Sequence, residues 1–439
     1  MDSRRTRASS ASARPGGRRA PWLWAPLIAL MVVSLATSGF ATRATLAQGT
    51  DEIVIGGLAT LEGPFVVPGE DGFRGMDMAI AEVGGEIAGK PIRVIKEGTD
   101  ATPAVARDKA RKLVEQDNVD LVIGPLSGDE GLAVRDYAKT VPDVTFINGS
   151  SASQDTTLRD PAPNFFRFST DGVQWMAGLG DYAFNDKGYQ TVAVVAEDYS
   201  FPYSQVGGFL TEFCQAGGKV AEKFWVPLGT KDFSSVVTSI PADVDAIYVA
   251  LGGADALNFL QAYDQFGGTA PIIGGSITVD QSVLSSRGEL RNRVIGVPSA
   301  GPIADSNPDP AWQKFVADYK AMFPDGLSSP SLFAYGYYVD TKAVLQALPE
   351  VDGDLSGGQE QFRQALAATT VESPTGTVTL DHNRQAIANI FLTEVAENAD
   401  GSLYNKLIEV IPDVNQTLGV PEAEFLAQGP FDRDNPSCP

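Results

Sequence analysis

Few residues in this chain are equipped for covalent chemistry. His382 is its only histidine, and Cys214 and Cys438 are its only cysteines. A Ser/His/Asp or Cys/His triad would have to be built on His382. That residue lies in Leu380-Asp381-His382-Asn383, a turn pattern between two strand-like runs, and reads as a solvated turn histidine. Histidines and cysteines at metal-ligand spacing do not occur, and neither does a Walker-type phosphate loop. Ile55-Gly56-Gly57 follows a strand pattern but lacks G-x-G-x-x-G order, which argues against a dinucleotide site. The expectation is a protein that is not an enzyme and needs no cofactor or metal.

The polar groups that do recur stand in small-residue loops: Leu61-Glu62-Gly63-Pro64, Pro125-Leu126-Ser127-Gly128-Asp129 and Asn148-Gly149-Ser150-Ser151-Ala152-Ser153. Each follows a short apolar run. An open α/β sheet binds its ligand just beyond the carboxyl ends of the strands. Small residues there let backbone N–H groups approach a carboxylate, and a helix N-terminus adds positive potential. Singly, Gly and Ser in a loop do no more than shape a turn. Their recurrence after consecutive strands marks Ser127 and the stretch Ser150–Ser153 as candidate anchors for an anion or another polar group.

The elements that must position these loops alternate. Ile53 to Gly56 reads as a buried strand, and Asp71 to Val83 has helical spacing with Phe73, Met76, Ala79, Ile80 and Val83 on one face. Pro91 to Lys96 is a strand, and Thr102-Pro103 opens a helix through Val114 with Thr as N-cap and Pro in the first turn. Val119 to Ile123 is a strand, Ser127 to Ala138 a helix and Val144 to Ile147 a strand. This βαβα order predicts a parallel sheet covered on both faces. The pattern restarts at Thr191 to Ala196 and runs through Pro271 to Gly274. The stretches Val119-Asp120-Leu121-Val122-Ile123 and Val244-Asp245-Ala246-Ile247-Tyr248 echo each other, which predicts two similarly built lobes. Further on, Pro310 to Met322 and Leu332 to Leu348 read as helices. The aromatics of the second (Phe333, Tyr335, Tyr337, Tyr338) read as core. Gly376 to Leu380 and Ile387 to Val395 read as strands, and the residues after about Pro412 as irregular.

Length and charge bound the rest. The 439 residues can bury two sizeable cores. The net charge is −22, and becomes −28 without residues 1–47, which hold seven Arg and a single acid. Phosphate backbones and anionic lipid would repel such a body, so nucleic-acid binding is excluded as an expectation. Arg4, Arg5, Arg7, Arg14, Arg18 and Arg19 precede an apolar run from Pro21 to about Ala36, and small residues then lead to Thr45-Leu46-Ala47. This is the layout of an export signal cleaved near Ala47, with a retained single-span anchor as the alternative. No cysteine follows the apolar run to carry a lipid. In an exported protein Cys214 and Cys438 are free to pair. A buried thiol at Cys214 with an idle one at Cys438 is the other reading.

In order along the chain, several stretches resemble the type I periplasmic binding proteins, specifically the leucine/isoleucine/valine-binding branch of ABC-importer receptors. They are Ile53-Val54-Ile55-Gly56 with Gly63-Pro64 and Gly69, then Val119 through Gly124-Pro125, and Arg167-Phe168-Ser169. Asp232-Phe233-Ser234 leading into Val244-Asp245-Ala246-Ile247, and Gly376, complete the set. The resemblance implies an α/β fold of two Rossmann-like lobes with parallel central sheets, joined by a three-segment hinge near Ser169–Asp171, Ser299–Pro302 and Gly376–Thr379. The lobes would be 51–169 with 302–376, and 170–301 with 377–425, leaving 426–439 as an irregular tail. It implies an extracytoplasmic, monomeric receptor that closes over a small molecule and delivers it to permease subunits in the membrane. A branched-chain or related amino acid is the default ligand. An amide, a urea-like compound or a carboxylate is the alternative, and a ligand-sensing module is a second role for the same fold. Carried over position by position, the carboxylate loops match Ser127-Gly128 and Ser150-Ser151-Ala152, with Ser153 in reserve. The hydroxyls expected at Gly128 and Ala152 are missing. Phe201 matches an aromatic wall, with Tyr199 and Tyr203 close by. Gly252 stands where a tyrosine is expected, and Ser276 where an acid would pair with a ligand ammonium. A buried ammonium without a counter-charge costs several kcal/mol. Asp255, Asp280 or Asp129 must therefore replace that acid, or the ligand is not an α-amino acid.

Overall fold

The computed structural model describes residues 52–286 and 291–438; the export signal and its cleavage point at Ala47 lie outside the described residues. The first apolar run forms β1 (Ile53–Thr60), buried along its whole length, as a parallel strand covered on both faces must be. It is followed by α1 (Val66–Glu82), β2 (Glu86–Ile87), β3 (Lys90–Thr99), α2 (Pro103–Glu115), β4 (Leu121–Ile123), α3 (Gly128–Ala138), β5 (Thr145–Ile147) and β6 (Phe165–Phe166). The six strands are ordered β2-β3-β1-β4-β5-β6, and all pair in parallel except β2 with β3. Pro103 opens α2 as expected, but the Thr102 hydroxyl donates to Asp100 Oδ1 at 2.6 Å and makes no helix cap.

A second sheet starts after α4 (Leu179–Asn185). Its elements are β7 (Thr191–Glu197), α5 (Ser200–Gln215), β8 (Lys219–Val226), α6 (Ser234–Ser239), β9 (Ala246–Ala250), α7 (Gly253–Gln265) and β10 (Ile272–Gly274). The order is β10-β9-β7-β8, parallel throughout. The two echoing stretches become β4 and β9, each lying beside the first strand of its sheet. The fold is the two-lobed α/β architecture that the alternation implies.

The chain then runs through α8 (Gln281–Leu284), α9 (Arg291–Val294), β11 (Pro298–Gly301), α10 (Pro310–Met322) and α11 (Leu332–Ala347). α11 returns to the first lobe and lies against α1. A Cβ at Gly75 would overlap the carbonyl of Ala334, so glycine is what lets the two backbones meet. The Tyr337 hydroxyl donates to the Leu58 carbonyl at 2.6 Å. α12 (Glu360–Ala368), β12 (Val371–Ser373), β13 (Gly376–Leu380), β14 (Ala386–Glu397), β15 (Leu403–Val414) and α13 (Glu422–Ala427) complete the chain. β11 to β15 form a separate antiparallel sheet, β11-β14-β13-β12, with β15 paired to β14. This corrects the expectation of irregular chain beyond Pro412, since β15 runs to Val414 and α13 follows it. Proline was read as a breaker. It is tolerated here because Pro412 falls in the bulge between the Ile390–Ile411 and Ala388–Val414 pairs, outside the ladder.

Residues 428–438 form neither helix nor strand, yet they are fastened down. Cys438 is joined to Cys214 on α5, which settles the open question of the cysteines in favour of pairing. Arg433 ion-pairs with Asp198, and the ring of Phe431 packs onto Gly207.

Candidate functional site

The carboxyl ends of the two parallel sheets face one small, tightly lined pocket. Its floor comes from the first lobe. After β4, Ser127 is the N-cap of α3 in a capping box: its N–H donates to Glu130 Oε2 at 3.0 Å, while its hydroxyl takes the backbone N–H of Glu130. The box leaves the N–H groups of Gly128 and Asp129 without acceptors inside the helix, so the positive end of an 11-residue helix stands at the cavity. Glu130 is itself fully buried, accepts from the Thr60 hydroxyl at 3.0 Å, and is pushed above the usual carboxylate range by burial.

The loop after β5 supplies the rest of the floor. Ser150 and Ala152 line the cavity, and the buried Ser150 hydroxyl has no hydrogen-bond partner. Ser151 and Ser153 do not line it. The Ser151 hydroxyl lies against Gly131 of α3, where a Cβ would overlap it, and Ser153 starts a short 3-10 turn. Arg167 fixes this loop from behind. Fully buried, its guanidinium donates to the carbonyls of Ser153 at 2.7 Å and Ser151 at 3.3 Å. It also donates to Thr157 Oγ1, Asp171 Oδ2 and Gln385 Oε1. Asp171 follows β6 and Gln385 precedes β14, so one side chain ties the candidate ligand loop to both of these segments.

The walls are aromatic and come from both lobes. Phe65 and Phe333 belong to the first; Tyr199, Phe201 and Ile277 belong to the second; Trp175 lies between them in sequence. Trp175 and Phe201 meet edge to face with centroids 5.5 Å apart, and Phe65 meets Tyr199 across the cavity at 6.5 Å. Neither a basic nor an acidic side chain is among the residues lining the cavity.

Five of the sequence-derived candidates therefore line one cavity: Ser127, Gly128, Ser150, Ala152 and Phe201. Gly252 stands just behind it, where an added Cβ would come within 3.0 Å of Phe65 and 2.7 Å of Ile277. Two others are placed elsewhere. The Ser276 hydroxyl accepts from Gln205 Nε2 at 2.6 Å behind the wall, and Asp255 accepts from the Gly229 N–H at 2.6 Å with its carboxyl pushed up to about 6 by burial. The other two candidate counter-acids are also engaged. Asp280 holds the N–H groups of Ser282 and Leu332, each at 2.9 Å, and Asp129 accepts from the Ser200 N–H at 3.1 Å. Tyr203 bonds Asp198 and packs on Trp225, outside the cavity. His382 is exposed in its turn.

Sequence reasoning missed Phe65, Trp175, Ile277 and Phe333 as wall residues. Phe65 alone had a usable signal, directly after the Gly63-Pro64 loop. It also missed Glu197 at the end of β7. That carboxyl accepts from the Gly252 N–H at 3.0 Å with Oε1, has no partner at Oε2, and is raised well above the usual range by burial.

Comparison with known proteins agrees with this geometry. The family model described as periplasmic binding protein matches residues 52–401. The Leu/Ile/Val-binding protein homolog 6 of Brucella melitensis is 30% identical over 399 residues, covering 87% of this chain and 95% of the relative. An ABC transporter substrate-binding protein from Sphaerobacter thermophilus is 31% identical and superposes with a TM-score of 0.74 over 83% of this chain and 99% of its own. A solute binding protein of an ABC transporter from Rhodopseudomonas palustris, in complex with 3,4-dihydroxybenzoic acid, is 26% identical with a TM-score of 0.76, over 83% and 99%. With a match over most of its length and both parallel sheets opening onto a single cavity, this chain belongs to the periplasmic binding protein family.

Proposed function

We propose that this ABC-transporter substrate-binding protein captures a small carboxylate with an apolar or aromatic body, by closing its two lobes at the three crossovers near Ser169–Asp171, Ser299–Pro302 and Gly376–Thr379. The observation that carries the reading is the polarity split of the cavity. An unpartnered Ser150 hydroxyl and the positive end of α3 form its floor, and aromatic rings form its walls. A carboxylate satisfies the floor, and rings shed water against the walls. The named relatives support this range: one carries a Leu/Ile/Val-binding name, the other holds 3,4-dihydroxybenzoic acid. The protein acts outside the cytoplasm as a monomer, after cleavage near Ala47, and hands its ligand to permease subunits. It performs no catalysis and binds no nucleic acid. No helix of the described residues is long and apolar enough to cross a membrane.

A second reading, an α-amino acid, is favoured by Glu197, whose unpartnered oxygen would suit an ammonium. Calorimetry separates the two. Leucine, its des-amino analogue 4-methylpentanoate, and benzoate are titrated into the wild-type protein and Ser150→Ala. We predict that the des-amino acid binds at least as tightly as leucine. Removing the Ser150 hydroxyl should weaken carboxylate binding roughly tenfold to a hundredfold, the range for one hydrogen bond to a charged group. Leucine binding a hundredfold tighter than its des-amino analogue overturns the first reading in favour of the second. Unchanged affinity in Ser150→Ala displaces the floor.

A further inference from the structure

We propose that Asp129 is a closure latch: it stands on the first turn of α3 in one lobe and caps α5 in the other, through a bond that exists only while the cleft is shut. The inference rests on the lobe-closure reading above and adds to it the protein's own contribution to closing.

α5 begins without a local cap. Tyr199 occupies its N-cap position and offers no side-chain acceptor to the first turn. A helix start leaves N–H groups unsatisfied and carries positive potential. The missing acceptor arrives from across the cleft, where Asp129 Oδ1 takes the Ser200 N–H at 3.1 Å. A carboxylate at that point satisfies a donor and the helix dipole together. The neighbouring acid on α3, Glu130, turns the other way and is spent inside its own lobe on Thr60 and Ser127, so Asp129 is the acid of that turn that crosses.

The residue beside the latch is shaped for the same contact. Gly128 stands where the family resemblance led to the expectation of a hydroxyl. A Cβ there would come within 2.7 Å of Phe201 Cβ, 2.8 Å of Ser200 Oγ and 2.9 Å of the Phe201 nitrogen. Gly128 is thus the seat on which the first turn of α5 rests, and any side chain would wedge the lobes apart. Gly128 and Phe201 both line the cavity. The turn of α3 that meets the ligand is therefore the turn that meets the opposite lobe, and the latch closes directly over the bound molecule. Because the bond forms on closure, its free energy adds to capture for any ligand, independently of ligand chemistry.

The test compares wild type, Asp129→Asn, Asp129→Ala and Gly128→Ser in the full exported chain. Small-angle scattering reads lobe closure without ligand and with saturating benzoate or leucine, hydrogen exchange reads the amide of Ser200, and thermal unfolding reads the fold. The latch predicts that Asp129→Ala compacts less with ligand than wild type does, and that with ligand it exchanges about tenfold or more faster at the start of α5. Asp129→Asn, which keeps an acceptor oxygen, falls between Asp129→Ala and wild type. Gly128→Ser expands the protein although it restores the hydroxyl. Unfolding midpoints stay near that of wild type, since neither residue serves a core. If the wild-type protein compacts but Asp129→Ala matches it in dimensions and exchange, or if Gly128→Ser closes and binds normally, the latch is overturned. A wild-type protein that stays open with both probes overturns the closure reading itself.

Discussion

At the scale of single residues, direction matters more than type. Ser150 and Ser151 are adjacent and identical, and neither buried hydroxyl has a hydrogen-bond partner, yet Ser150 lines the cavity while the Ser151 hydroxyl lies against Gly131. The sequence identifies a small-residue loop at a strand end, and it carries no mark of which way each hydroxyl turns. The aromatic walls were harder still. Phe65, Trp175 and Phe333 come from three separate segments, and only the folded chain brings them together. Asp255 shows the converse, an acid with a plausible role and a structural occupation. It is 1% exposed and accepts the Gly229 N–H at 2.6 Å. We predict that Asp255→Ala removes this bond to the exposed Gly229 loop and lowers stability by about 1 kcal/mol, with ligand affinity unchanged. Urea unfolding measures the first and calorimetry the second. An affinity loss greater than the stability change would return Asp255 to the binding site.

At the scale of elements, the parallel strands and their helices were legible because each is a short apolar run or a 3.6-residue stripe with a cap or a glycine at its end. The antiparallel sheet was not. β15 is half exposed, contains Pro412, and gains its stability from pairing with β14 along most of its length. Such non-local pairing leaves little trace in a local window. The crossover is the element-scale feature with the largest energetic stake. Arg167 was legible as part of a family-like stretch, but not as a buried guanidinium serving six acceptors. Replacing it with an apolar side chain would leave Asp171 buried without its counter-charge. We predict that Arg167→Met costs about 3–5 kcal/mol of stability, measured by urea unfolding. Arg167→Lys should recover only part, since an ammonium cannot reproduce the planar fork. A loss below about 1 kcal/mol in Arg167→Met would mean the crossover holds without it.

At the scale of the whole molecule, acidity and burial combine into a pH dependence. The chain has 55 acids against 33 bases, and several carboxyls lie inside. Burial pushes Glu212 up to about 7 and Asp255 and Asp280 up to about 6, and raises Glu130, Glu197 and Asp340 as well. In the unfolded chain these groups give up their protons near about pH 4. Between about pH 4 and 7 the folded protein therefore binds more protons than the unfolded chain, and stability falls as pH rises through that window. The contribution of Glu212, Asp255 and Asp280 is complete below about pH 4 and gone above about pH 7. Surface carboxylates held low by partners, such as Asp160 beside Lys139 and Asp232 beside Ser234, act in the opposite sense, but only as pH drops below about 4. Relief of negative self-repulsion on acidification works in the same direction as the buried acids. We predict a higher thermal unfolding midpoint at about pH 5 than at about pH 7.5 at equal ionic strength, read by scanning calorimetry. Glu212→Gln keeps an acceptor for the Gly178 N–H, which now lies 3.0 Å from Glu212 Oε1, and removes the titration. It should flatten the slope between about pH 6 and 7 while leaving the lower part intact. A midpoint that climbs from about pH 5 to 7.5 would show that these carboxyls stay ionised in the folded protein down to about pH 5, with counter-charges or water reaching them inside the lobes.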